Sequence, residues 1–481
     1  MSDGAPSVGR AAAPPMRLYA PREPIYPKLV HGRFRLLKWA MMAVMLAIYY
    51  GVPWLRWDRP GAAPDQAVLV DFDGGRFYFF FLHLWPQEFP FVTGLLVMAA
   101  LGLFLSNALF GRLWCGYACP QTVWTDIFIY VERLFEGDRN ARMRLDAEPW
   151  SLNKLWRKAG KHVAWLLVAA ATGGAWIFYF HDAPTLWASF WKGLAPWSAY
   201  VSFAVLTICT YLLAGQMREQ VCIYMCPWPR IQAAMVDSDS MQVTYRRDRG
   251  EPRGSHKKEA TWDGRGDCID CTQCVVACPM GVDIREGAQI GCINCALCID
   301  ACDEIMVKVG RPTGLIAYDT DAAIAAREAG VKPSYRLVRP RTLFYGAALA
   351  VTAGLMTLGL SSRPDMDLHV ARDRNPVYVR LHDGGVRDGY TLRIDNRTFE
   401  TRAYRLSYSG IGGALVQTPG ATPAPVANVV VEPDQTRAIR VQVYAPPKSG
   451  RAGLTPTAFV IETDGVKHSV ATVFAAPEPA P

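Results

Sequence analysis

The chain has 481 residues, 51% of them apolar, with 15 Trp, 13 Cys and a formal charge of +8. That length suits two to four domains, and the apolar share with a slightly positive mean hydropathy suits a membrane protein carrying soluble parts. The positive charge does not call for nucleic acid, because it gathers in loops that flank apolar runs.

Residues 1–38 read as an irregular cytoplasmic lead containing "YAPREPIYP". They show no cleavage pattern, which argues against a removed signal peptide. Five apolar runs, 39–55, 91–110, 162–180, 197–217 and 342–360, approach the roughly 20 residues that cross a hydrocarbon core, and none contains Asp or Glu. Cations crowd the lead (Arg10, Arg17, Arg22, Lys28, Arg33, Arg35, Lys38) and the loop from Arg112 to Lys161, whereas only Lys192 separates the third run from the fourth. Because Lys and Arg are retained inside, this predicts a cytoplasmic N-terminus and, after five crossings, an outer C-terminal region. The plan is a lead (1–38), a four-helix membrane region (39–217), a cytoplasmic segment (218–341), a fifth span (342–360) and an outer domain (365–481).

The stretch "RFYFFFLHLWPQEF" from Arg76 is apolar but too short to span, and is expected at the outer interface or as a re-entrant segment. From Asp365 onward, "YTLRID", "AYRLSYS", "NVVVEP", "AIRVQVYAP" and "TAFVIET" alternate in polarity between Gly, Pro, Asn and Asp. That pattern predicts an antiparallel, immunoglobulin-like sandwich of about seven strands. No cysteine lies beyond Cys302, so the sandwich must rest on its own apolar core.

Eight cysteines sit in "CIDCTQCVVACP" and "CINCALCIDACD", twice the spacing C-x2-C-x2-C-x3-C of bacterial ferredoxins with two 4Fe-4S clusters. The ferredoxin domain is expected over about residues 262–308. In that arrangement the fourth cysteine of each run serves the other cluster. Cys268, Cys271, Cys274 and Cys302 then hold one cluster, and Cys292, Cys295, Cys298 and Cys278 the other. Structural zinc more often uses paired C-x2-C knuckles, and disulfides are foreign to a cytoplasmic segment. The second run ends in Cys302-Asp303 rather than Cys-Pro.

Four further cysteines form two C-x3-C-P pairs, Cys115 with Cys119 and Cys222 with Cys226. Positions i and i+4 share a helix face, although Pro120 and Pro227 also favour ending the helix there. Both pairs follow an even-numbered run, which puts them at the cytoplasmic membrane face beside the ferredoxin segment. Thiolates so placed suit a soft metal such as Cu(I), or a dithiol/disulfide couple, and the competing reading is buried small hydrophobes. Cys209, alone in the fourth run, is expected to be a packing residue. His162 and His181 flank the third run at opposite ends and offer no facing axial pair for haem. No Gly-rich fingerprint supports a dinucleotide.

Together, "YAPREPIYPKLVHGRFRLLKW", "FYFFFLHLWPQEF", "GRLWCGYACPQTVW", "CIYMCPWPRIQ", the double ferredoxin motif and "RDRNPVYVRLHDGGVRDGYTLRIDN" resemble the cytochrome c oxidase accessory protein family, CcoG, also called FixG or RdxA. The resemblance runs from about Tyr19 to the last strands. It implies a bacterial inner-membrane protein that serves assembly of cbb3-type cytochrome oxidase, with reduction of Cu(II) to Cu(I) as its chemistry. It implies oxidase subunits or copper-delivery proteins as partners and a cytoplasmic electron donor. Carried over by position, Cys115, Cys119, Cys222 and Cys226 are the copper-handling, catalytic thiols, and the eight cluster cysteines are the electron path. Two other functions fit the motifs: a quinol-linked electron shuttle to a periplasmic reductase, and a copper carrier or assembly scaffold without redox work. A sandwich domain alone does not choose among them.

Overall fold

The computed structural model of the chain describes residues 24–59, 63–256, 262–447 and 453–477. The first part of the expected lead, residues 1–23 with Arg10, Arg17 and Arg22, lies outside them. So does 257–261 in the polar run before the cluster cysteines.

Among the described residues, four helices are long and apolar enough to cross a membrane: Arg33–Trp54, Pro86–Phe110, Trp197–Met217 and Pro340–Ser361. In the second and fourth, none of the most apolar 18-residue window is buried within the chain. Leu95, Leu96, Val351 and Leu355 therefore face outward, an apolar surface that suits lipid rather than water. The two helices lie antiparallel: a Cβ on Gly94 would meet Met356, and one on Gly359 would meet Phe91. Bare glycine backbones permit that close approach.

The α-helices that frame the first half of the chain are α1 (Arg33–Gly51), α2 (Phe89–Phe110), α3 (Leu113–Tyr117), α4 (Pro120–Glu136), α5 (Arg139–Ala147) and α6 (Leu152–Ile177). The expected third span falls in α6, which is 26 residues long but is not among the four membrane-length apolar helices. It starts ten residues before the apolar run, in a stretch carrying Lys154, Arg157, Lys158 and Lys161. Those cations make the helix as a whole amphipathic. The stretch from Arg76 begins as strands and, from Pro86, turns into the second long helix. It supplies two of three short antiparallel strands, β1 (Val68–Asp71), β2 (Arg76–Phe79) and β3 (Leu82–Leu84).

Contacts divide the chain into two units. One comprises residues up to Tyr49, Ala99–Trp176 and Pro196–Ala348; the other comprises Tyr50–Met98, Ile177–Ala195 and Leu349–Pro481.

In the first unit, α4 buries Asp126, Glu132 and Glu136 together with Phe128. Every acid has a cation. Asp126 meets Arg35 at 3.0 Å and Lys38 at 3.6 Å; Glu132 meets Arg142 at 2.8 Å and also Arg218; Glu136 meets Lys161 at 2.9 Å and Lys158 at 3.0 Å. Buried charge is tolerable only when paired in this way, so the network ties α1, α5, α6 and the Arg218 turn to one helix. Asp300, from helix Leu297–Lys308, accepts from the backbone N–H of Phe34 (3.3 Å) and Arg35 (2.7 Å). A carboxylate there satisfies free donors at the start of α1 and complements its dipole. The ferredoxin segment is thereby fixed to the first membrane helix. A two-stranded antiparallel pair, β4 (Gln242–Tyr245) with β5 (Ile316–Asp319), closes over it.

The second unit contains the sandwich, built from nine strands rather than seven because two of them are very short. They are β6 (Met366–Arg372), β7 (Val379–Arg380), β8 (Val386–Asn396), β9 (Arg402–Ser409), β10 (Leu415–Gln417), β11 (Val426–Val431), β12 (Gln435–Ala445), β13 (Gly453–Thr463) and β14 (Val466–Ala476). One sheet runs β10-β12-β8-β6 with β7 on β8; the other runs β11-β9-β13-β14. Inward side chains such as Tyr390, Leu392, Leu406, Val441 and Phe459 are fully buried between them, as strand alternation requires. The small β1-β2-β3 sheet docks through Arg76, which meets Asp434 at 3.1 Å.

Candidate metal centre

The two ferredoxin motifs fold as a repeat. The residues either side of the second cysteine in each motif, Asp270 and Thr272, then Asn294 and Ala296, all have left-handed φ angles between 54° and 60°. Asp and Asn tolerate that conformation, whereas Thr272 and Ala296 adopt it only where the surroundings impose it, and here it curls each chain around the point its cysteines share. A helix follows each curl, Gln273–Ala277 carrying Cys274 and Leu297–Lys308 carrying Cys298 and Cys302.

Cys302 lies within electrostatic reach of Cys268, Cys271 and Cys274. Cys278 has the same relation to Cys292 and Cys295. The fourth thiol of each run therefore crosses to the other set. Cys278, Cys292, Cys295 and Cys298 line one cavity, otherwise walled by Val243, Val282, Ile284 and Ile293, and the Val282 N–H donates to the Cys278 sulfur at 3.4 Å. Burial, then neighbouring thiols, push Cys302 and Cys278 up to about 12, and burial pushes Cys292 up to about 11. Such thiols ionise readily only onto a cation. Four sulfurs around an apolar hollow with a backbone N–H to sulfur suit a 4Fe-4S cluster.

The prolines decide the form of the other two motifs. Cys115 sits in α3, but Cys119 is extended (φ −62°, ψ 128°) and Pro120 opens α4. Cys222 sits in the π-helical turn Val221–Met225, Cys226 is extended (φ −78°, ψ 122°), and helix Trp228–Met235 follows Pro227. The residue before proline avoids the helical region, so neither pair shares one regular helix face. A π-helical turn widens the backbone and is frequent at functional sites. The four thiols nevertheless converge. Cys222 lies within charge reach of Cys119, Cys115 and Cys226, and Cys115 of Cys119 and Cys226. Burial first, then that crowding, lifts Cys115 to about 11 and Cys222 to about 12. The two pairs make one group of sulfurs.

This group abuts the second ferredoxin motif. Cys115 and Cys222 pack against the apolar cluster that holds Cys295, with Cys278 and Cys292 on its flank. A Cβ on Gly116 would lie 2.7 Å from the Ile293 carbonyl and 3.0 Å from the Cys295 Cα, so the residue inside the first C-x3-C-P motif must be small. Tyr117 donates to the Cys295 carbonyl at 3.2 Å. Arg112 is the hinge of the arrangement: it donates to the carbonyls of Cys292 (3.1 Å) and Pro229 (2.7 Å), and its charge reaches Cys115, Cys292 and Cys222. Gln232, buried and held through its carbonyl by Asn107, takes a hydrogen bond from the Cys115 thiol at 3.3 Å. Sequence reading passed over Arg112, Gln232 and Gly116. Only the position of Gly116 inside a cysteine pair hinted at it. Cys209 stands apart and is exposed on its helix, so it is not the buried packing residue expected.

A membrane-embedded chain with two ferredoxin motifs and a terminal β-sandwich defines a membrane iron-sulfur protein of electron transfer. Family models agree: a 4Fe-4S dicluster domain matches residues 217–321, a 4Fe-4S binding domain matches 91–137, and the IG-like fold at the C-terminal of FixG matches 356–477. "Nitrogen fixation protein FixG" of Rhizobium meliloti (strain 1021) is 50% identical over 459 residues, covering 89% of this chain and 88% of that protein. RdxB and RdxA of Cereibacter sphaeroides are 51% and 49% identical, covering 89% and 90% of this chain and 90% and 92% of their own lengths. The chain belongs to the FixG/RdxA family, as its motifs implied.

Proposed function

We propose that this protein reduces Cu(II) to Cu(I) at the four C-x3-C-P thiols, in the service of assembling a cbb3-type cytochrome oxidase. The observation that carries the reading is the packing of Cys115 and Cys222 against the apolar cluster containing Cys295, with no separate domain between the two sulfur sets. The eight cysteines of residues 268–302 hold two 4Fe-4S clusters, which supply single electrons when bound. One electron from a cytoplasmic reductant converts one Cu(II) to Cu(I), and no atom is transferred. Cys115, Cys119, Cys222 and Cys226 bind the substrate ion and favour its reduced form, because thiolate is a soft ligand. Arg112 offsets the negative charge shared by the thiols and Cys292. Lys38, Gln121, Glu219 and Cys222 line a small pocket beside the thiols. With α6 crossing as the fifth span, the charge distribution of the loops supports a cytoplasmic N-terminus and ferredoxin segment and a periplasmic sandwich.

The test is anaerobic titration of the reduced protein with Cu(II), with a chelator reporting Cu(I). Cys222→Ala and Cys226→Ala should slow reduction at least about tenfold while leaving both clusters in place. Undiminished rates would end the proposal.

A second reading rests on the 4Fe-4S binding model over residues 91–137, which spans Cys115 and Cys119. Under it the four thiols hold a third iron-sulfur cluster. Iron analysis separates the two: about eight irons per chain favours copper at the thiols, and about twelve favours the third cluster.

A further inference from the structure

The sandwich carries a second cluster of metal-ligating groups, in the cysteine-free part of the chain. Asp367 and Asp395 are directly opposed across β6 and β8. Two like charges in that position repel unless a proton or a cation is shared between them. His369, two residues along the same face of β6, brings its Nε2 to 3.6 Å from Asp395 Oδ2 and 3.9 Å from Asp367 Oδ2. His468 of β14 brings its Nε2 to 3.4 Å from Asp367 Oδ1. One ligand atom from each of Asp367, His369 and Asp395 falls within 4.8 Å of the others.

Asp395 provides the second, independent observation. It is 0% exposed, and its Oδ2 has no hydrogen-bond partner. Its other oxygen is already engaged, taking the Thr436 hydroxyl at 2.8 Å. A buried carboxylate oxygen without a partner is costly, and this one points at the imidazole of His369. Charge-assisted bonds close to about 2.7–2.9 Å, whereas donors held about 2.0–2.2 Å from a shared ion sit roughly 3.0–3.6 Å apart. The His369–Asp395 separation of 3.6 Å falls in the second range, and His369–Asp367 at 3.9 Å lies just beyond it.

The surrounding groups match a ligand shell. Arg397 holds Asp367 Oδ2 at 3.3 Å, and the Leu368 N–H holds Oδ1 at 2.8 Å, orienting that carboxylate. Thr436 does the same for Asp395. Such supporting contacts set the direction and basicity of ligands. Both histidine side chains are partly exposed, His369 at 44% and His468 at 37%, so an ion has a path in.

We infer that Asp367, His369 and Asp395 form a binding site for a divalent late first-row transition ion, with His468 held against the other oxygen of Asp367. One imidazole nitrogen with two carboxylate oxygens favours Cu(II) most, then Zn(II), and disfavours Cu(I), which prefers sulfur. The site stands independently of the thiol group and of the copper reading given to it.

The test uses the full chain in detergent with Cys115, Cys119, Cys222 and Cys226 changed to Ser, titrated with Cu(II) and followed by electron paramagnetic resonance. One equivalent should give a Cu(II) signal with coupling to one nitrogen. His369→Ala should remove that nitrogen, and Asp395→Asn should weaken binding about 100-fold. Should the serine variant fail to fold, Zn(II) titration of the otherwise native chain by calorimetry, with and without His369→Ala, reads the same site as one lost equivalent. Signals unchanged by these substitutions, or an adventitious ion only, bound weakly and without stoichiometry, would overturn the assignment.

Discussion

In the sandwich, Tyr390, Leu392, Leu406, Val441 and Phe459 are buried against one another and no cysteine takes part. In the ferredoxin segment, Cys268, Cys274 and Cys302 belong to the buried core itself, beside Ile299, Met306 and Leu315. The first core is complete in protein atoms. The second is arranged around sulfurs, of which burial pushes Cys274 and Cys302 above the ordinary thiol range until a metal replaces the proton, with four non-glycine residues held at left-handed φ. Where folding free energy includes metal binding, the module without its metal is not a stable fold. The comparison thus separates a unit that needs its inorganic partner from one that does not.

Iron removal is the strongest way to break that contrast. Chelation under anaerobic conditions should abolish amide protection across residues 268–308 while leaving β8, β12 and β13 protected, read by hydrogen exchange. Equal loss in both regions would show that the sandwich is not independent of the clusters.

Changing one crossing thiol sharpens the same point. Cys302→Ser should lower the iron content by about half, since one of two clusters loses a ligand. Cys278→Ser should do the same through the other. Retention of full iron in both would disprove the crossing.

On the sandwich side, Phe459→Ala leaves a hole in a closed apolar core and should cost about 3–5 kcal/mol. Denaturant unfolding measures it, and the iron content should not change.

Asp300→Ala removes the carboxylate that accepts from the Phe34 and Arg35 N–H groups, and should cost about 1–2 kcal/mol. Faster exchange confined to the start of α1 is its signature.

The last effect is visible only as pH is varied and concerns His83, on β3. Burial, then the charges of Arg363 and Arg76, depress its pKa to about 4. The fold accepts the neutral ring, so the stabilisation is complete above about pH 6.5 and is lost as pH falls toward 4. Asp434, 3.5 Å away, is shifted upward by burial and opposes this trend, so the comparison of wild type with His83→Gln isolates the histidine. The variant should show a flatter melting temperature over that range.

The cysteine spacing alone gave the ferredoxin class, because three thiols at that interval can wrap one face of a cluster. Apolar runs gave the membrane helices, although Lys154, Arg157, Lys158 and Lys161 fused the third run into a longer amphipathic helix. Alternation at period two gave the sandwich, but strands as short as β7 and β10 leave too little pattern to read. The second C-x3-C-P motif was legible as a thiol pair, while its π-helical turn was not, since that depends on how Val221–Met225 packs.

Sequence therefore determined which chemistry the chain holds, since ligand identity and local spacing are written residue by residue. Tertiary structure alone decided which groups meet. Cys115 and Cys222 lie more than a hundred residues apart, Arg112 and Cys292 farther still, and Asp367 faces His468 across two sheets. Such encounters come from burial of apolar surface over the whole unit, and no local interval encodes them.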